Sequence, residues 1–186
     1  MDFMQLRKFA GQTADKYIGH IRDAQWEQPS TCSEWTVRQL LNHLVNENYW
    51  EPELLQGKKI KDVGNKYDGD LLGEAPIVVW QKTLASADEF LEANPNVIDH
   101  VCHLSYGDVA CHEYISQRIL DLTIHGWDIA KSTGQDTTLP PELVTFLWET
   151  FSRESMIRES GLFGKQIPVP ETADAQTKLL AFLGRQ

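Results

Sequence analysis

Apolar residues recur at intervals of three and four positions along much of this chain, which is the spacing of one face of an α-helix. The first such stripe predicts a helix from about Asp2 to Asp23. A second stripe follows Thr36, a residue suited to an N-cap, and predicts a helix that ends between Leu55 and Gly57. The stretch from Trp26 to Ser33 is rich in Pro, Ser and Thr and therefore predicts a loop between the two helices.

Two more long helices and a hairpin are predicted in the second half of the chain. The third helix begins at Ala75-Pro76, where proline suits a first turn, and ends at Asn94. Strand-forming residues lie on either side of Gly107-Asp108 and predict a short β-hairpin that turns there. The fourth helix runs from Glu113 to Ser132, and Gly134 stands where a helix-ending glycine is expected.

The remaining segments predict a surface loop and a C-terminal extension. The segment from Lys58 to Gly73 is polar and rich in Gly, Asp and Lys, which predicts a surface loop with the composition of a lid. A fifth helix follows Pro140-Pro141 and is expected to stop by Gly161. An extended tail then leads to a last short helix around Ala175 to Leu183.

These elements favour an all-α fold, namely an antiparallel four-helix bundle with a short β-hairpin and a small C-terminal extension. The 186 residues fit one domain of ordinary size. We therefore expect a single domain over residues 1–186, in which the tail 162–186 packs on the bundle.

The composition excludes several classes of partner. A hydrophobic content of 41% with 24% charged residues is that of a globular protein and not of a disordered chain. The net charge of −10 leaves no basic stripe for a nucleic acid and disfavours an anionic membrane surface. No stretch reaches the ~18 apolar residues of a membrane span, and residues 1–10 lack the apolar region of a signal peptide. Neither a nucleic acid nor a membrane is expected as a partner.

The cysteines bear on the compartment. They are sparse and odd in number: Cys32, Cys102 and Cys111. Such a set does not predict a disulfide framework and favours a reducing compartment. The sequence therefore predicts a cytoplasmic protein.

Three side chains are candidate metal ligands. Asp121 and His125 stand four residues apart on the fourth helix and so point to one face, and His43 lies at the border of an apolar run in the second helix. Imidazole nitrogen and carboxylate oxygen suit zinc, our first expectation, or else nickel, iron or manganese. Two simpler interpretations stay open at this point, a hydrogen-bonded core histidine and an Asp-His pair on a solvated helix face.

Other chemistry-bearing residues give weaker signals. A structural zinc site around the hairpin is imaginable, but its spacings fit no zinc motif; its members would be His100, Cys102, His103, Cys111 and His112. Nothing basic adjoins Cys32 in sequence, so a small buried residue is expected there and not a nucleophile. Trp35, Trp50 and Trp127 are expected to be core aromatics. Asp128 is expected to accept a hydrogen bond near the helix end or the loop before the second helix.

Three segments resemble a known family. The segment Trp26 to Val45, with Cys32, Trp35-Thr36-Val37 and His43-Leu44-Val45, resembles the opening motif of the DinB-like superfamily. More narrowly, it resembles the branch named for the N-terminal domain of mycothiol-dependent maleylpyruvate isomerase. The segment Arg118 to Gly134, with Asp121 and His125-Gly126-Trp127-Asp128, looks like the second motif of that branch. The tail Phe163 to Arg185 is similar to a subgroup of metal-binding proteins without an assigned substrate.

The resemblance implies a DinB-like four-helix bundle in an up-down-down-up arrangement. It also implies a metal ion held by one histidine of the second helix and a pair spaced by four on a later helix, which here are His43, Asp121 and His125. The first member of that pair is often Glu or His in related proteins. Because Asp reaches ~1.5 Å less, Asp121 is either a direct ligand, a ligand through water, or a residue that orients a ligand.

Two functions follow as expectations. In related proteins the open metal position receives the thiolate of a low-molecular-weight thiol such as mycothiol or bacillithiol, so one hypothesis is a metal-dependent transferase or isomerase that acts on a thiol and an electrophilic substrate. The Lys58–Gly73 loop and the hairpin would then shape the mouth of the site. Maleylpyruvate isomerisation itself is not expected, because the named isomerase carries an additional C-terminal domain. The alternatives are a non-enzymatic metal- or ligand-binding helical module, which could be a homodimer, and a purely structural bundle without metal.

Overall fold

The computed structural model describes residues 1–32, 35–152 and 163–186, and it consists of two compact units. The first unit comprises Met1–Thr137 and the second Thr138–Gln186. The expected single domain over 1–186, with the tail 162–186 packed on the bundle, stays a prediction.

The first unit is mostly helical and carries one small antiparallel sheet. Its helices are α1 (Phe3–Ile18), α2 (Val37–Leu55), α3 (Ile60–Val63), α4 (Pro76–Ala93) and α5 (Cys111–Thr133), and its strands are β1 (Val101–Leu104) and β2 (Gly107–Ala110). Two short 3₁₀ turns lie at Asp23–Gln25 and Pro95–Asp99. The predicted mostly helical fold with a hairpin is confirmed, whereas the finer arrangement as an antiparallel bundle stays a prediction.

Local sequence signals explain where the long helices begin and end. Asp2 and Thr36 each accept a hydrogen bond from the backbone N–H three residues on, which forms a capping box at the start of α1 and of α2. Gly134 ends α5 in the left-handed conformation, with φ of +71°, as predicted. Helix α1 stops at Ile18 and not near Asp23, because Gly19, a poor helix former, is its C-cap.

The four long helices of this unit pack against one another around an apolar core. Helix α1 contacts α5 and α4, and α2 contacts α4 and α5. The backbones of α1 and α5 approach closely, since a Cβ atom added at Gly126 would be 3.1 Å from Cα of Ala14. The glycine therefore allows two helix backbones to come together beside His125.

The hairpin differs from the prediction in its turn and in its cysteines. Leu104 pairs with Gly107, so the turn lies at Ser105-Tyr106 and Gly107-Asp108 belongs to β2. The expectation of no disulfide is wrong, because Cys102 and Cys111 form one, with Cα atoms 5.3 Å apart. Strand pairing brings them together, since Cys102 faces Val109 across the sheet, two residues before Cys111. The imagined zinc site loses both thiolates by this pairing.

The polar segment after α2 lies along that helix and is held at several points. Asn42 binds the carbonyl of Gly69 and the backbone N–H of Leu71, and Asn46 donates to the carbonyl of Tyr67. At one end Arg38 pairs with Asp70, and at the other Glu53 accepts from Lys58, Lys66 and the Tyr67 hydroxyl. We call residues 58–73 the strap, because this contact pattern is that of a fixed segment and differs from the free lid that its composition suggested.

The second unit contains two helices in its described residues, α6 (Pro141–Phe151) and α7 (Ala175–Phe182). They pack on each other, with the rings of Trp148 and Phe182 6.0 Å apart. The backbone N–H of Ile167 binds the carbonyl of Ala181, which ties the extended tail to α7. The predicted end of the fifth helix by Gly161 lies outside the described residues. Among the described residues, no helix combines the length and apolar composition required to cross a membrane.

Candidate metal centre

Three predicted residues meet between α2 and α5. Nε2 of His43 lies 3.1 Å from Oδ1 of Asp121, and Nε2 of His125 lies 3.3 Å from the same oxygen. One ligand atom from each residue lies within 4.8 Å of the other two. All three side chains are partly buried, with 26%, 21% and 16% exposure for His43, Asp121 and His125. The site is therefore set into the surface and open on one side.

The helices bring these side chains together by simple geometry. Asp121 and His125 are one turn apart on α5, so the carboxylate and the imidazole project from the same face. His43 projects from the neighbouring helix α2, and its ring stands nearly perpendicular to that of His125, with centroids 5.1 Å apart. The two rings thus meet edge to face. In this arrangement both Nε2 atoms point toward the carboxylate of Asp121.

Arg118 holds the second oxygen of Asp121. Its guanidinium donates to Oδ2 of Asp121 and, through another nitrogen, to the Asn48 side chain at 3.0 Å. It also lies 3.5 Å from the fully buried carboxylate of Glu51 and 3.7 Å from that of Glu47. Because Oδ2 is engaged, Oδ1 is the oxygen left for the two imidazoles.

Opposite charges set the protonation of the site. Burial opposes ionisation of Asp121, but the charges of His43 and His125 outweigh it and hold the pKa of Asp121 well below its usual range. Burial likewise disfavours the charged form of His125. The charge and hydrogen bonds of Asp121, with the hydrogen bonds of Asp128 and Cys32, outweigh it and raise the pKa of His125 well above its usual value.

Nδ1 of His125, the ring nitrogen that faces away from Asp121, has different neighbours from Nε2. Nδ1 lies 3.0 Å from Oδ2 of Asp128, a fully buried carboxylate, and 3.6 Å from the sulfur of Cys32. The Thr31 hydroxyl donates to Oδ1 of Asp128 at 2.7 Å, so the expected hydrogen bond from the loop before α2 to Asp128 is confirmed. A carboxylate on Nδ1 fixes the orientation of the ring and turns Nε2 toward Asp121.

The loop before α2 is tied to the end of α5, which places Cys32 beside His125. The amides of Gln25 and Gln28 donate to the carbonyls of Thr133 and Ser132, at 2.9 and 2.7 Å. The backbone N–H of Thr31 binds the Ser132 hydroxyl at 2.9 Å. These hydrogen bonds hold the loop against the last turns of the helix that carries Asp121 and His125.

Trp35 covers the site from the solvent side. Its ring centroid lies 5.1 Å from that of His43 and 6.3 Å from that of His125, while 38% of the residue is exposed. The expectation of a core aromatic is wrong for Trp35, because the indole packs on two imidazoles and not on the apolar core. Trp127 is buried as expected, and Trp50 is half-buried.

Two parts of this arrangement, at Cys32 and at Arg118, were not predicted from the sequence. A small buried residue was expected at Cys32, but the thiol is half-buried and contacts His125 and Asp128, which are distant in sequence and close only in the fold. The contact of Arg118 was not predicted either, although its position three residues before Asp121 on one helix face was an available signal. The strap and the hairpin were expected to shape the mouth of the metal site. Trp35, which was not expected there, flanks the rings of His43 and His125.

Comparisons with known proteins agree with this architecture. A crystal structure of the mycothiol-dependent maleylpyruvate isomerase superposes with a TM-score of 0.61 at 15% sequence identity, covering 78% of this chain and 66% of that one. A point mutant of the same enzyme gives a TM-score of 0.62 at 14% identity. At this identity the likeness shows the fold alone, and the chain spans 66% of the length of the solved isomerase.

Relatives in sequence cover the whole chain. Two proteins from different strains of Mycobacterium tuberculosis, each described as an uncharacterized protein (MT0763 and Rv0738), are 26% identical over 200 aligned residues, covering 100% of this chain and 98% of their own length. The model of the family described as "Mycothiol maleylpyruvate isomerase N-terminal domain" matches residues 10–130, which include both helices of the site. Since that match spans more than half of the chain, the protein belongs to the mycothiol maleylpyruvate isomerase N-terminal domain family.

Proposed function

We propose that the protein binds one divalent metal ion through His43, Asp121 and His125 and uses it to present a low-molecular-weight thiol to an electrophilic substrate. The observation that carries the proposal is the convergence of two Nε2 atoms on one carboxylate oxygen, at 3.1 and 3.3 Å. Ligand bonds of ~2.0–2.2 Å in a tetrahedral site place neighbouring donor atoms about 3.3–3.5 Å apart. The donor set therefore fits zinc, and nickel, iron or manganese remain alternatives with the same nitrogen and oxygen ligands.

The proposal assigns Asp121 as a direct ligand. The shorter aspartate side chain leaves open whether the carboxylate reaches a metal ion, but Oδ1 lies as close to both imidazoles as a ligand atom should. Arg118 occupies Oδ2 and so favours binding through one oxygen. Three protein ligands leave room for a further ligand from solution, which is typical of a reactive site and not of a closed structural one.

The side chains around the triad have separate tasks in this proposal. Asp128 orients the His125 ring through Nδ1, and Arg118 fixes the carboxylate of Asp121. Trp35 offers an apolar wall on the open side, against which a ligand can pack away from water. A divalent ion held here would lower the pKa of a bound thiol and keep its sulfur ready as a nucleophile.

The proposal also covers the finer architecture, the reaction and the compartment. Because α1, α2, α4 and α5 each contact two of the others, we assign them as an antiparallel four-helix bundle of the DinB type. Family membership and fold support a thiol-dependent reaction of the kind named in the solved relative, a mycothiol-dependent maleylpyruvate isomerase. Low-molecular-weight thiols are held in the cytoplasm, which we therefore keep as the compartment.

Metal analysis and metal-linked stability test the binding site. Zinc should raise the melting temperature of the metal-free protein, because a ligand that binds only the folded state stabilises it. His43→Gln and Asp121→Asn should abolish this shift, whereas His103→Gln, which removes an imidazole paired with Asp108 on the hairpin, should leave it intact. An unchanged shift in both site variants would refute the assigned ligands.

Turnover tests the reaction. The zinc-loaded protein should accelerate the conjugation of mycothiol or bacillithiol with a small electrophile, and Asp121→Asn should lose the acceleration together with the metal. Glutathione serves as a comparison thiol. A zinc-loaded protein that accelerates none of the three reactions would refute the enzymatic part and leave a metal-binding helical module.

A further inference from the structure

A second group of donor atoms lies on the other side of the His125 ring. Oδ2 of Asp128 is 3.0 Å from Nδ1 of His125, the sulfur of Cys32 is 3.3 Å from that oxygen, and the sulfur is 3.6 Å from Nδ1. The three atoms thus form a compact triangle that contains one thiol, one imidazole and one carboxylate. The function proposed above makes no direct use of Cys32.

The size of the triangle fits a metal ion. Bonds of ~2.3 Å to sulfur and ~2.0–2.1 Å to nitrogen and oxygen, at tetrahedral angles, give edges of about 3.3–3.6 Å between the donor atoms. The edges of 3.0, 3.3 and 3.6 Å are close to these values, and the two edges to sulfur are longer than the edge between nitrogen and oxygen, as the bond lengths require.

The group is also built into the fold and does not lie loosely on the surface. Asp128 is fully buried on α5, and its other oxygen accepts from the Thr31 hydroxyl at 2.7 Å. The residue before Cys32 is fixed to the Ser132 hydroxyl through its backbone N–H. Cys32 itself is half-buried and not enclosed in the core.

We propose that Cys32, Asp128 and Nδ1 of His125 form a second metal-binding set, which takes a thiophilic divalent ion such as Cd²⁺. Binding exchanges the thiol proton of Cys32 for a sulfur–metal bond and the Nδ1 proton of His125 for a nitrogen–metal bond, and both protons are released to solvent. Thiolate sulfur selects softer ions than a set of two imidazoles and a carboxylate does. This site does not depend on the thiol chemistry proposed above and shares only His125 with it.

The shared histidine makes the two sets exclusive. A neutral imidazole has one nitrogen with a free lone pair and one that carries hydrogen. An ion on Nδ1 therefore leaves Nε2 to donate to Asp121, and an ion on Nε2 leaves Nδ1 to donate to Asp128. Each chain therefore binds one ion at His125. An ion that prefers sulfur binds on the Nδ1 side, beside Cys32, and an ion that does not binds on the Nε2 side, beside Asp121.

Absorption spectroscopy distinguishes the two sets. Titration of the full-length, metal-free protein with Cd²⁺ should produce a thiolate-to-metal charge-transfer band in the ultraviolet. The band should saturate at one ion per chain with Cd²⁺. Cys32→Ser should abolish it, and Asp128→Asn should weaken Cd²⁺ binding at least ~10-fold, since even indirect partners of a metal ligand have effects of that size. The other two cysteines are paired with each other and supply no thiolate.

Asp121→Asn is the matched variant, because it removes a carboxylate of the other set and leaves the sulfur in place. The Cd²⁺ band should persist in this variant. Absence of a band in the wild-type protein, or its survival in Cys32→Ser, would overturn the proposal. Far-ultraviolet circular dichroism checks that each variant is folded, and slower alkylation of Cys32 with Cd²⁺ present provides a second readout in the wild-type chain.

The outcomes also separate this inference from the proposed function. If the protein binds metal without a charge-transfer band, and Asp121→Asn loses that binding, the first set is supported and the second is refuted. The opposite outcome combines two results: the Cd²⁺ band disappears in Cys32→Ser, and the zinc-induced rise in melting temperature is unchanged in Asp121→Asn. These results would support the second set and refute the first.

Discussion

Removal of the Glu51 charge should destabilise the protein far more than removal of a similar charge at its surface. Glu51 is fully buried on α2, and both of its oxygens accept hydrogen bonds from Arg7 of α1, one of them at 2.9 Å. Arg118 of α5 lies 3.5 Å from the same carboxylate. Glu51→Gln keeps the shape of the side chain and leaves two buried guanidinium groups with one anion fewer.

The magnitude follows from the partners that remain. Loss of one member of a buried ion pair costs roughly 3–5 kcal/mol of unfolding free energy. Arg7 retains Asp88 at 2.7 Å and Arg118 retains Asp121, so the lower end of that range applies. We expect a loss of about 3 kcal/mol, which for a chain of this size lowers the melting temperature by roughly 6–12 °C.

Urea denaturation followed by circular dichroism measures this loss. The control is Glu92→Gln, which breaks the exposed Lys8–Glu92 pair between α1 and α4 and should have no measurable effect. If Glu51→Gln proved as stable as Glu92→Gln, the buried network would not contribute to stability and the reasoning would be refuted.

The same network gives a signed dependence on pH. Burial disfavours ionised Glu51, but the charges of Arg7 and Arg118, together with the hydrogen bonds from Arg7, outweigh it and hold its pKa below the usual value of 4.5. A carboxyl group with a lowered pKa contributes stability above pH 4.5, and the contribution is lost as the pH falls further. The difference in unfolding free energy between the wild type and Glu51→Gln should therefore be largest at pH 7 and become smaller as the pH falls below 4.5.

Three further predictions test other parts of the molecule. Gly126→Ala should cost about 1–3 kcal/mol in urea denaturation although alanine favours helix, because the added Cβ would meet Ala14 at 3.1 Å; an unchanged midpoint would contradict the close helix contact. Fluorescence quenching by Co²⁺ should decrease in Trp35→Phe, since that indole lies nearest the two imidazoles, and equal quenching would place the ion elsewhere. Hydrogen bonds from Lys58, Lys66 and the Tyr67 hydroxyl lower the pKa of Glu53 to about 2, so Glu53→Gln should speed amide exchange in the strap above pH 4.5 and differ less from wild type toward pH 2.

Sequence alone could predict the features that local patterns determine. The capping residue Thr36 and the helix-ending Gly134 act within one turn of their helices, and the four-residue spacing of Asp121 and His125 places both on one face. The helices of the site were therefore predictable with nearly their observed bounds. The link from that pair to His43 required the family resemblance, because 78 residues separate His43 from Asp121.

Contacts between distant segments escaped prediction for a physical reason. Cys32 and His125 are 93 residues apart, and the thiol reaches the ring only because the loop before α2 is bound to the end of α5. The Cys102–Cys111 disulfide depends on strand register, and a turn at Gly107-Asp108 would shift the partner of each β1 residue by four positions. The attachment of the strap to α2 could not be predicted from the composition of the strap. Asn42 and Asn46 bind backbone carbonyls of the strap, and a backbone carbonyl is present in every residue.

The strap also fixes the rotational position of α2. At 3.6 residues per turn, the six α2 residues that contact it in the described part of the chain lie within about 120° of arc on one side of the helix: Arg38, Asn42, Asn46, Tyr49, Trp50 and Glu53. A turn of α2 about its axis would break all of these contacts at once, whereas an isolated helix could roll at little cost. The direction in which His43 projects from α2 is thereby fixed by a segment that supplies none of the proposed metal ligands.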